Sequence, residues 1–230
     1  MAKASLSRSD RPLHPGQELS AKKVPVQARA LETVEAILRV AGAILDEAGF
    51  EQLNTNLVAK RAGISVPALY RYYPNKYAIL NALGERIMQL QDKAVLAWLA
   101  EGGLDAKGTE ARIASVQTIL ARILEITRAF PGNIAITRAL RAVPAMRDAR
   151  LVARDRLSVE LGSGLGSLFP AIPAFVLNHA TKLCLELIQA SMDMVLEEAG
   201  LDEQRMLRET ARAFVAYFES LAQAAQAGAL

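Results

Sequence analysis

The sequence predicts an all-α protein: an N-terminal three-helix helix-turn-helix domain, followed by a larger C-terminal helical domain. Three observations carry that expectation. Apolar residues recur at three-and-four spacing through most of the 230 residues. Proline and glycine stand at the joins between these stretches, and no segment alternates with period two for long enough to argue a strand. Two of the helical stretches are short, lie on either side of Gly63, and carry no acidic residue.

Met1 to Val26 holds serine, proline, glycine and scattered charge without helical periodicity, and reads as a disordered basic arm over 1–26. Its Lys3, Arg8, Arg11, Lys22 and Lys23 leave two readings open, solvated filler or an arm that follows phosphates. A long amphipathic helix follows, with Leu31, Val34, Ile37, Leu38, Ala41, Ile44, Leu45 and Ala48 on one side. The side-chain oxygen of Asn54 can accept a backbone N–H and start a helix through Ala62, which places Val58, Ala59 and Ala62 on one face. Gly63 falls where a helix end favours the left-handed conformation, and Ile64 plugs the turn. Ser65 is the next N-cap, with Pro67 in the first helical turn, where a missing N–H has no intrahelical partner. The helix from Val66 is short because Pro74 removes a donor and biases Tyr73 away from helical geometry. Leu69 and Tyr73 then face the first short helix, leaving Val66, Pro67, Ala68, Tyr70 and Arg71 outward.

Beyond Pro74 the pattern is helical over 76–99, 109–130, 132–143, 145–169, 174–199 and 202–226, which sets domain bounds of 27–75 and 76–230. The last two helices are apolar over wide faces. Each therefore buries a second surface against a twin subunit or a ligand, or sits centrally in its own domain.

At 24.8 kDa and 52% hydrophobic content the chain can bury a core of one or two domains. Its single Cys184 excludes an internal disulfide and suits a reducing cytosol. The N-terminal stretch lacks the continuous apolar core of a signal peptide, and no apolar run reaches the roughly 20 residues of a membrane span, so a cytoplasmic protein without a membrane partner is expected. The formal net charge of +3 argues little alone, but residues 1–84 hold 11 Lys and Arg against 7 Asp and Glu, while the remainder holds 16 against 17. From Gln52 to Gly84 the only formal charges are Lys60, Arg61, Arg71 and Lys76, interleaved with Tyr70, Tyr72 and Tyr73, as on a phosphate-facing surface.

Catalysis finds no support. The Leu161–Leu168 run is glycine-rich, but no strand precedes it and no Lys-Ser/Thr pair closes it, so a flexible helix end is the better account than a phosphate loop. His179 and Cys184 are five apart, off a common helical face, and the other histidine, His14, is in the arm. No Ser-His-Asp set or carboxylate pair can be singled out, so neither an enzyme nor a cofactor or metal is expected. Arg138, Arg141, Arg147, Arg150 and Arg154 form a basic run that reads as a solvated face, or as counter-charge for an acidic effector or partner.

Phe50, seven further residues, and then VAKRAGISVPALYRYYPNKYAIL resemble the N-terminal signature of TetR-type transcriptional regulators, over about residues 30–83. One position departs: where the family often has threonine before the first short helix, this chain has Leu53, with Asn54 as the apparent cap. The resemblance implies a homodimer on double-stranded, near-palindromic operator DNA, most often a repressor, released when a small and mostly apolar effector enters the C-terminal domain. The DNA-contact residues are then Asn54, Thr55, Asn56, Ser65, Val66, Pro67, Ala68, Tyr70, Arg71, Tyr72 and Lys76. Trp98, Phe130, Ile134, Met146, His179 and Met192 are candidates for the effector pocket. Leu187, Met194, Phe214, Phe218 and Leu221 are candidates for the dimer interface. The competing classes are an all-α interaction module that keeps the helix-turn-helix only as packing, and a small-molecule carrier.

Overall fold

The computed structural model describes Ala21 and residues 28–229; apart from Ala21, the expected arm over 1–26 lies outside the described residues. Among the described residues the elements are helices and no strand: α1 (Ala28–Gln52), α2 (Thr55–Arg61), α3 (Val66–Tyr70), α4 (Lys76–Ala100), α5 (Thr109–Ala129), α6 (Asn133–Ala142), α7 (Pro144–Leu168), α8 (Ala174–Glu197) and α9 (Glu203–Gln226). The all-α expectation holds. Two compact units divide the chain, Met1–Met88 with Arg128–Arg150, and Gln89–Thr127 with Leu151–Leu230.

In the first unit α1 is interrupted at Gly49, whose φ of 74° is left-handed and therefore cheap only for glycine. The core is built from Ile37, Ala41 and Ile44 of α1, Val58 and Ala59 of α2, Leu69 of α3, and Ile79 and Leu80 of α4, all at most 1% exposed. Ile136 and Met146 close it from α6 and the start of α7. Asp46 accepts the Gly132 N–H at 2.7 Å, which fixes the turn into α6 against α1.

The short helices carry the caps their residues predict. Asn54 Oδ1 accepts the Leu57 N–H at 2.8 Å, and Ser65 Oγ accepts the Ala68 N–H at 3.3 Å. Gly63 has a φ of 68°, and the Ile64 N–H returns to the Ala59 carbonyl at 3.1 Å, so the chain leaves α2 through a left-handed C-cap. The α-helical part of α3 ends at Tyr70, three residues earlier than the segment running to Tyr73; the Tyr72 and Tyr73 N–H groups both return to the Leu69 carbonyl, a tightened last turn forced by Pro74. Asn75 then caps α4 by accepting the Ala78 N–H at 2.9 Å.

The second unit packs the latter part of α4, most of α5 and α7, and all of α8 and α9 around Leu120, Leu124, Leu165, Leu207 and Phe218. Phe218 is the centre of an aromatic group, with ring centroids 5.0 Å from Phe214 and 6.3 Å from Phe169. The Leu161–Leu168 run is regular helix, not a frayed end. A Cβ on Gly164 would lie 3.1 Å from Leu104, so this glycine lets the segment after α4 pack closely on α7.

Candidate functional site

The α2–α3 pair presents one coherent surface. Leu69 and Tyr73 are buried at 0% and 2% exposure, which turns the other side of α3 outward. Ser65, Pro67 and Arg71 are exposed there, and Val66, Ala68, Tyr70 and Tyr72 are half-buried beside them. Asn56 and Lys60 are exposed on α2, and Asn54 is half-buried at its start. Arg61, also exposed, is 2.5 Å from Glu47. Burial and the charges of Glu35 and Glu85 push the Tyr73 phenol up to about 12, with Arg86 pulling the other way, so this tyrosine stays neutral inside the core.

Two of the expected DNA-contact residues are placed elsewhere. Thr55 is fully buried, and its hydroxyl meets the Tyr70 hydroxyl at 3.0 Å, so it braces α3 from behind α2. Lys76 is 6% exposed with its ammonium 4.4 Å from the Phe50 ring centroid and 5.8 Å from that of Tyr77. The cation is held over aromatic faces within the unit. Both corrections have one cause: sequence shows residue type and spacing, but not which side of a short helix its neighbours cover.

The second unit contains a cavity of about 120 Å³. Trp98 and Met192 line it, together with Ile119, Leu120, Leu161 and Phe214 among others. Phe130, Ile134, Met146 and His179 do not. The first three belong to the first unit, with Met146 fully buried in its core, and His179 is exposed on α8 with Nδ1 2.7 Å from the Phe175 carbonyl. The Trp98 indole N–H donates to Ser115 Oγ at 3.1 Å, and that hydroxyl donates to the Gly103 carbonyl at 2.6 Å. The polar lining is Gln91, Asp92 and Gln189, with Asp92 ion-paired to Arg156. Burial pushes the nearby core thiol of Cys184 up to about 12, which leaves it an unreactive apolar group.

One face of α8 is apolar and uncovered by the other described residues. Phe175, Leu183, Leu187 and Met194 are 67%, 49%, 55% and 40% exposed at helical spacing. Phe214 and Phe218, expected at an interface, are instead 8% and 1% exposed in the core of their own unit, and Leu221 is half-buried against it. The basic run is partly neutralised within the chain. Arg154 lies 2.8 Å from Asp155 and 3.1 Å from Glu186, and Lys182 lies 3.2 Å from Asp155; the hydrogen bond from Arg154 is the main cause holding the Asp155 carboxyl below its ordinary range.

Residues 37–83 match the family described as bacterial regulatory proteins, tetR family. Over these residues the chain carries a tetR-family N-terminal domain. A nucleoid occlusion factor SlmA from Actinobacillus pleuropneumoniae serotype 5b (strain L20) is 34% identical over 134 residues, 57% of this chain and 59% of that protein. The class C tetracycline repressor protein of Escherichia coli is 41% identical over 56 residues, 24% of this chain and 26% of that one. The chain thus spans under two thirds of the length of either relative. Among solved structures, the TetR-family transcriptional repressor FadR of Thermus thermophilus, in complex with lauroyl-CoA, is similar in fold, with a TM-score of 0.58 at 20% identity over 79% of this chain and 93% of that one.

Within the TetR-family domain, sequence reasoning missed the Thr55–Tyr70 link and the Asn75 cap. A signal existed for the second, an asparagine directly before the lysine that opens α4. None existed for the first. Among the described residues no helix is long and apolar enough to cross a membrane, and no cluster of His, Cys, Asp and Glu has the makings of a metal site.

Proposed function

We propose that this protein is a homodimeric repressor: α3 enters the major groove of a near-palindromic operator, and a small, mostly apolar effector in the second unit's cavity releases the DNA. The observation that carries the DNA reading is the outward face of α3, with Arg71 exposed and Pro67, Ala68 and Tyr70 beside it, on a segment free of acidic residues. Arg71 suits a base edge, the three neighbours suit thymine methyl groups, and Ser65, Tyr72 and the start of α2 at Asn54 and Asn56 suit phosphates. The effector reading rests on the cavity and on the continuity of α4. This single helix gives Ile79 and Leu80 to the first core, and Val95 and Trp98 to the cavity lining. The exposed apolar stripe of α8 supports the dimer.

The test is selection of bound duplexes from a random pool, followed by titration of the selected site at several salt concentrations. A specific near-palindrome is expected, with affinity falling steeply as salt rises. Failure to select any sequence, with no salt-dependent binding to duplex DNA, would return the helix-turn-helix to a packing role.

The similarity to a nucleoid occlusion factor over 134 residues favours a second reading, that this protein acts in nucleoid occlusion. Genome-wide occupancy separates the two: a few promoter sites support the repressor, and sites spread along the chromosome support the alternative.

A further inference from the structure

We propose that the cavity ligand is an uncharged, ring-sized molecule bearing a hydroxyl or N–H hydrogen-bond donor, such as a small phenol, and not a carboxylate or a long acyl chain. This rests on the reading that the second unit takes an effector, and gives that effector its chemical class.

Size comes first. At about 120 Å³ the cavity is somewhat smaller than the roughly 150 Å³ apolar cavity that accommodates benzene. That is the scale of a single ring, and most of a long chain would lie outside it.

Charge comes second. Among the described residues no lysine, arginine or histidine lines the cavity, and the one ionisable side chain there is the acidic Asp92. A carboxylate entering here would leave water, meet a like charge, and find no cation among the lining groups. Arg156 is the partner of Asp92 but does not line the cavity itself.

Hydrogen-bonding sense comes third. Gln91 Nε2 donates to Thr127 Oγ1 at 2.8 Å, and that hydroxyl donates onward to the Ile123 carbonyl at 2.7 Å, so Thr127 can only accept from Gln91. Gln189 Nε2 donates to the Asp193 carboxylate at 2.9 Å, which again can only accept. Both carboxamides are therefore oriented by their partners, each with one N–H engaged and one N–H and Oε1 remaining, so the surplus of acceptors comes from the Asp92 carboxylate. Together with Asp92 they make the polar part of the lining rich in acceptors. An apolar ring with a donor is its complement.

Calorimetry on the 230-residue chain without DNA tests the class, using 4-ethylphenol, ethylbenzene, 4-ethylbenzoate and dodecanoate as probes, with the emission of its sole tryptophan, Trp98, reporting cavity occupancy. The expected order is 4-ethylphenol tightest and ethylbenzene weaker by roughly five- to tenfold, the size of one hydrogen bond. The two carboxylates should bind more weakly still. Gln91→Met with Gln189→Met should weaken 4-ethylphenol by about tenfold and leave ethylbenzene unchanged. Should that pair unfold the protein, Asp92→Asn serves instead, raising affinity for 4-ethylbenzoate relative to 4-ethylphenol by removing the like charge and an acceptor. Either carboxylate binding as tightly as the phenol, none of the four binding, or variants that leave the preference unaltered would overturn the proposal. Its failure is distinct from that of the effector reading: saturation by 4-ethylphenol with operator affinity unchanged removes DNA release but keeps the ligand class, whereas release by 4-ethylbenzoate does the reverse.

Discussion

Arg71 is the side chain on which sequence and structure agree most simply. It is the exposed cation on the outward face of α3, with no partner among the described residues. If it reads a base edge, Arg71→Ala should cost about 1 to 3 kcal/mol and flatten preference at one operator position, whereas Tyr72→Phe should weaken all sequences alike. Binding to a panel of single-base operator variants checks this, and an Arg71→Ala profile as selective as the parent's would assign direct readout to another residue. Tyr73 and Cys184 give a second expectation, in stability. Burial raises the Tyr73 phenol from 10.0 to about 12 and the Cys184 thiol from 9.0 to about 12. The fold favours both neutral forms, so their contribution is fully present below pH 9 and is lost as pH rises from there through 12. Tyr73 alone corresponds to about 2 to 3 kcal/mol. Urea unfolding at pH 8, 10 and 11 should show the loss, and Tyr73→Phe with Cys184→Ala should flatten the curve; a parent protein equally stable at all three values contradicts it.

Helix ends were legible because their chemistry is local. Asn54, Gly63, Ser65 and Pro74 act on backbone groups within four residues, so their spacing alone placed α2, the turn and α3. What a helix face meets is not local. Phe130 and Met146 have the composition of pocket residues and Phe214 that of an interface residue, yet each is claimed by a core whose other members lie far along the chain. Lys76 shows the same limit for charge: nothing in its own segment announces that Phe50 lies under its ammonium. Gly103 joins the two kinds of information. A Cβ there would stand 2.2 Å from the Trp98 indole, in the turn that follows α4, and the Gly103 carbonyl accepts the same Ser115 hydroxyl that receives the indole N–H. Gly103→Ala should therefore displace Trp98, costing about 1 to 3 kcal/mol through overpacking and shifting tryptophan emission. Thermal melts with fluorescence check it, and unchanged emission at unchanged stability would show that the loop yields without moving the indole.

Assembly turns on α8. Phe175, Leu183, Leu187 and Met194 form an exposed apolar line, whereas the α9 aromatics face inward, so the surface available to a second copy differs from the one that helix pattern alone suggested. Polar replacement of Phe214 or Phe218 would damage the core of the second unit, and a resulting monomer would say nothing about the interface. Leu183 and Leu187 are the better probes, being 49% and 55% exposed and one helical turn apart. Leu183→Glu with Leu187→Glu places two carboxylates in the stripe; in a dimer built on this face they oppose their symmetry mates without cations to pair them. The unmutated protein should sediment as a dimer at micromolar concentration. The double variant should be a monomer with an unchanged helical circular dichroism spectrum. Operator affinity should fall with it, because a near-palindrome then engages one α3 at a time and the gain from linking two reading heads, often a hundredfold or more, is lost. The measurement joins sedimentation to DNA titration on the same preparation. A double variant that remains dimeric and keeps its operator affinity would move the interface off α8, and a parent protein that sediments as a monomer would leave the apolar stripe without a second copy to cover it.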